Sequence, residues 1–170
     1  MISALPLLCV PAGLYVLFRL CVIDLRVRRL PNPLVLSLAL LGLAFHFTSA
    51  FYYASPQDMI LGALLGGGSL ALIRAIGNTL YQQDTLGLGD VKLLAAEGLW
   101  LGAHDTTLAL VLGAGAGLLH GLALLWHAKI TRQNTGPLAT FSLPAGPGFI
   151  AGFIITALAK FWGLPHLYGP

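Results

Sequence analysis

Six apolar runs constrain this chain more than any other feature. They lie at roughly 4–23, 34–54, 58–77, 91–103, 106–127 and 143–161 of the 170 residues. A helix needs about 20 largely apolar residues to cross a bilayer. Backbone in lipid must satisfy its own hydrogen bonds, so only helices and closed barrels span. Barrel strands are short and alternate in polarity, whereas these runs are long and do not alternate. The expected fold is an all-α membrane protein of six transmembrane helices, with residues 1–170 as one domain. The fourth run, 91–103, is short. It gives about 20 Å of helix against a hydrocarbon core of about 30 Å.

Composition agrees with lipid as the solvent. Charged residues are 9% of the chain, nine Lys/Arg and six Asp/Glu, and apolar residues are 57%. A soluble domain carries about 25% charged residues. Mean hydropathy is +0.85, which excludes intrinsic disorder, since disorder needs low hydrophobicity and high charge. The pI of 9.1 does not point to nucleic acid, because the basic residues are scattered and make no groove-sized patch. No Lys or Arg precedes the first run, so a signal peptide is not indicated. Cys9 and Cys21 fall on one predicted helix, about 18 Å apart, too far to pair.

The basic residues orient the spans. Arg26, Arg28, Arg29, Arg74, Lys92, Lys129 and Arg132 share one side, and Arg19 lies within about a turn and a half of it. Only Lys160 falls near the other face. The positive-inside rule then puts both termini outside.

Between the runs, Pro31 and Pro33 are expected to stop any helix and pin an extended turn. Ser55-Pro56-Gln57-Asp58 reads as a helix start, with Ser55 as cap. Asp105 reads as an outer-face cap. The glycines at 66–68 and at 113, 115, 117 and 121 read as small residues for close helix packing. Histidines 46, 104, 120, 127 and 166 form no ligand cluster, so no metal or other cofactor is expected.

Scarce acids in a membrane protein are where chemistry is sought. Asp90 follows Gly87-Leu-Gly89 and opens the short fourth run; Asp24 ends the first run on the same predicted side. Each has a bland reading, Asp90 as a helix cap and Asp24 as a partner for Arg26, Arg28 or Arg29. Together they allow another. Two adjacent carboxylates cannot both ionise cheaply, so one can take a proton from water while the other polarises a carbonyl.

At these residues a family resemblance enters. Asp24-Leu-Arg-x-Arg-x-Leu-Pro31-Asn32 resembles the first aspartate motif of type IV prepilin peptidases. Gly87-x-Gly89-Asp90-Val-Lys92-Leu-Leu-Ala-Ala-x-Gly98-x-Trp100-Leu-Gly102 resembles their second, the GxGD motif. Leu143-Pro144-Ala-Gly146-Pro147 resembles their entry to the last span. The resemblance implies a membrane aspartyl protease, related in logic to presenilin and signal peptide peptidase. It implies Asp24 and Asp90 as the catalytic pair and a cytoplasm-facing site in the bacterial inner membrane. The implied substrate is a prepilin with a basic leader and a hydrophobic helix. Larger members carry a cytoplasmic domain with cysteine pairs and also N-methylate the product. This chain lacks the cysteine pairs and is similar to the short form of Flp/Tad pilus systems, or to a minimal relative such as the archaeal preflagellin peptidase, without a separate methyltransferase domain.

Gly87, Gly89, Lys92, Glu97, Pro31, Asn32, Pro144, Gly146 and Pro147 complete the candidate site as substrate-binding or site-shaping residues. Lys92 can reach a lipid phosphate or a substrate carboxylate, or simply snorkel. Glu97 lies two turns beyond Asp90. It reads as a core hydrogen-bond donor, testable by a bond to His120 or a threonine, or as a substrate-facing group. Asp84 reads as a solvated loop residue or a contact for a basic leader. Membrane lipids are the other expected partner, and nucleic acid is not one. The sequence leaves the oligomeric state open. The competing function is a proton- or cation-coupled carrier using the same carboxylates; a third is a non-catalytic assembly subunit.

Overall fold

The structure, a computed structural model, describes residues 5–130 and 145–161. Among them are six helices: α1 (Leu5–Val27), α2 (Asn32–Thr48), α3 (Pro56–Tyr81), α4 (Leu88–Leu101), α5 (Ala103–Ile130) and α6 (Gly146–Phe161). α1, α3 and α5 each contain a stretch long and apolar enough to cross a membrane. α2 and α6 are apolar but shorter, 17 and 16 residues, or about 25 Å. Pro144, Arg132 and His166 lie outside the described residues.

The boundaries correct several expectations. α1 runs on through Asp24 to Val27. Pro31 is extended, as expected, but Pro33 sits in the first turn of α2, where its fixed φ and missing N–H cost nothing. α2 also stops at Thr48, earlier than its apolar run. Ala50 and Phe51 adopt positive φ in the turn that follows. α4 begins at Leu88, so Asp90 lies inside its first turn.

α4 is the hub, packing on α2, α3, α5 and α6. Leu93, Leu94 and Leu101 are fully buried in it. The expected glycine packing is found where helices approach closely. A Cβ at Gly66 would lie 2.6 Å from the Leu94 carbonyl oxygen, and one at Gly113 would lie 2.8 Å from the Phe149 ring. Gly68, Gly115 and Gly117 have open space around the position of a Cβ.

The far end of α4 shows how so short a helix ends inside a bundle. Its last carbonyls have no intrahelical donors. His46 Nε2 donates to the Trp100 carbonyl at 2.9 Å, and Lys160 Nζ donates to that of Leu101. Trp100 Nε1 in turn donates to the Leu38 carbonyl at 2.9 Å. Asp58 accepts from the Ala103 N–H at 3.0 Å, so it caps α5 from across the bundle. Asp105, expected to be that cap, instead pairs with Lys160 at 2.9 Å. Ser55 does cap α3, accepting from the Asp58 N–H at 3.2 Å.

Gly102 makes the turn between α4 and α5 with φ +77 and ψ 176. That region is essentially closed to residues with a Cβ. A Cβ there would also strike the Asp58 carboxylate. Gly102→Ala is expected to cost about 1–3 kcal/mol from the backbone alone, read as a lower midpoint in thermal unfolding.

Candidate active site

Asp24 and Asp90 stand on two helices, α1 and α4, of which no pair of Cα atoms comes within 8 Å. Asp24 stands in the last turn of α1 and Asp90 in the first turn of α4. Both are buried, 5% and 9% exposed, and their carboxylates lie within electrostatic reach of each other. Asp24 Oδ2 has no hydrogen-bond partner among the described residues. The backbone N–H of Gly146 faces the same carboxylate.

The neighbouring glycines serve space rather than turn geometry. Gly87 is extended, with φ −65, so any residue could adopt its backbone. A Cβ there would lie 2.9 Å from Asp90 Oδ2. A Cβ at Gly146, where α6 begins, would lie 2.7 Å from Asp24 Oδ2. One at Gly89 would press on the Leu30 side chain at 2.9 Å. Side chains at the first two positions would crowd the two carboxylates.

Of the other predicted residues, Lys92 and Asn32 meet: Lys92 Nζ donates to Asn32 Oδ1 at 3.0 Å, tying the two motifs together. Pro31 precedes α2, and Pro147 lies in the first turn of α6. Pro144 is outside the described residues. Asp84 is exposed and pairs with Arg74, which also donates to the Leu86 carbonyl. It thus closes the α3–α4 connection, a role its loop position did not reveal.

Glu97 is fully buried and within electrostatic reach of Asp90, yet neither carboxyl oxygen has a partner among the described residues. His120 is exposed and does not bond it. The expected bond to a histidine or threonine is therefore not found among the described residues. Removing a buried group that makes no hydrogen bonds is neutral or stabilising when an apolar residue of similar volume replaces it. Glu97→Leu is expected to hold or raise the thermal midpoint; a clear fall would reveal a partner.

Sequence reasoning passed over His46, grouped with scattered histidines, although it is fully buried. Its partner is a backbone carbonyl 54 positions away, and no spacing rule exposes such a contact.

The fold and this site define a helical membrane protein with two buried carboxylates, one at the end of α1 and one at the start of α4, within electrostatic reach of each other. Residues 12–122 match the sequence model of the type IV leader peptidase family. The chain belongs to that family. It is 36% identical over 120 residues to the prepilin leader peptidase/N-methyltransferase of Pectobacterium carotovorum subsp. carotovorum, covering 71% of this chain and 42% of that protein. The protein of that name from Burkholderia pseudomallei (strain K96243) is 32% identical over 149 residues, 88% of this chain and 44% of its own. That of Escherichia coli (strain K12) is 31% identical over 134 residues, 78% and 59%. The chain spans about half the length of the curated relatives it matches. No solved structure matches it.

Proposed function

We propose that the chain is an aspartic endopeptidase that removes the basic leader from prepilins of the Flp type, with Asp24 and Asp90 as its catalytic pair. One observation carries this reading: two carboxylates from different helices are buried within electrostatic reach of each other, beside glycines 87 and 146. In this mechanism a water molecule sits between them. One carboxylate takes a proton from the water as its oxygen attacks the scissile carbonyl carbon. The other, which keeps its proton, donates a hydrogen bond to the carbonyl oxygen. The tetrahedral intermediate then breaks its C–N bond, and the amine leaves with a proton from the pair. The substrate must be extended at that bond, and the two glycines leave it room.

In the same proposal all six helices cross the bilayer, with both termini outside and α4 as the short span. The site then faces the cytoplasm. Arg26, Arg28 and Arg29 follow Asp24, Arg74 lies toward the C-terminal end of α3, and Lys92 lies near the N-terminal end of α4 with Asp90, which favours that orientation. Methyl transfer is not assigned to this chain; the proposal takes only the first half of the relatives' double name. The test is leader removal from a Flp-type prepilin in membranes containing the chain, read as a mobility shift. An intact leader with properly inserted protein would sink it.

A further inference from the structure

α2 and α3 both pack on α4, yet no pair of their Cα atoms comes within 8 Å. Between them is a slot of about 580 Å³, within the usual size range of ligand pockets, about 300–1,000 Å³. Ala95, Ala96 and Leu99 of α4 form its floor, and Ala39 and Ala63 belong to its walls. Its polar residues are Asn32 and Lys92, both near the N-terminal ends of their helices. Lys92 is exposed, and the side chain it meets, Asn32, brings no charge.

We infer that this slot binds one anionic phospholipid, with an acyl chain against α4 and the headgroup phosphate on Lys92. The slot is apolar along its length and cationic at one end, which matches that ligand at both ends. A lysine at this depth extends its ammonium to the headgroups while its stem stays in apolar surroundings. A substrate helix does not fit the geometry. At 3.6 residues per turn, Lys92, Ala95, Ala96 and Leu99 lie on the opposite side of α4 from Asp90 and Glu97. A peptide in the slot would have α4 between its backbone and the two aspartates.

The test is native mass spectrometry of the full chain in detergent with phosphatidylglycerol and phosphatidylcholine of identical acyl chains. One phosphatidylglycerol is expected to be retained preferentially. Lys92→Gln should cut that preference about fivefold, the worth of one lysine near an anionic surface. Arg29→Gln, another exposed basic residue near the same helix ends, should keep it. Ala39→Phe and Ala63→Phe fill the slot from opposite walls and should each reduce retention of both lipids. Circular dichroism identifies any variant that fails to fold, and the Lys92→Gln result decides alone if both do. Equal retention of the two lipids by the unsubstituted chain would overturn the inference. So would an adduct indifferent to Lys92→Gln, retention unchanged in folded slot-filling variants, or a dimer that cross-links through Ala63→Cys.

Discussion

Asp24→Asn and Asp90→Asn each abolish leader cleavage, while each protein stays inserted at its normal level. That is the expected result, and the fold makes it diagnostic. Asparagine has nearly the size of aspartate but cannot shuttle a proton at this site. Proton transfer by a placed side chain is worth about 10²–10⁴-fold in rate, so each single variant should fall at least that far. The double variant should be little worse than either single one, because groups acting as a unit are not additive. The bland reading predicts the opposite for Asp90. As a helix-terminal residue it would be replaced well by asparagine, itself a favoured cap. Stability should not suffer. Asp24 Oδ2 has no partner among the described residues, and the two acids are buried within electrostatic reach of each other. Neutralising one removes an unfavourable burial. Unchanged cleavage with either single variant would end the assignment of the pair.

Much of this architecture was legible in the sequence because membrane constraints act locally. Apolar run length marked the positions of all six helices, with ends shifted by a few residues. Scarcity of charge made Asp24 and Asp90 stand out before their proximity was visible. Helix α4 was harder to read. Its burial on several sides and its contacts with α2, α3, α5 and α6 leave no polar face for periodicity to detect. The roles of Gly87 and Gly146 were only half legible. Glycine suggested backbone freedom, whereas the structure uses the absence of a Cβ beside each carboxylate. Least legible was the far end of α4. Asp58 and Asp105 looked alike as local caps. Which one caps α5 depends on how α3 meets α5 and how Lys160 of α6 reaches Asp105, and that is a fact of tertiary packing.

That far end gives the second large effect. Lys160→Met is expected to destabilise the protein by about 3–5 kcal/mol, because it takes the lysine away from a buried charge. Lys160 and Asp105 are 13% and 7% exposed at their side chains, so water does little to screen the pair. The same substitution removes the donor to the Leu101 carbonyl at the end of α4. His104 Nδ1 lies 3.1 Å from Asp105 but is largely exposed, so it offsets only part of the loss. Asp105→Asn combined with Lys160→Met should recover part of the stability, since the charge that had lost its lysine is then gone. What remains reports the lost bond to α4. Thermal unfolding of the four proteins closes a double-mutant cycle. Cleavage adds a second reading. α4 carries Asp90 at one end and is held at the other by Lys160 and His46. Loss of that hold should lower activity at temperatures where most of the protein is still folded. A thermal midpoint unmoved by Lys160→Met would mean that the pair contributes nothing to holding α4.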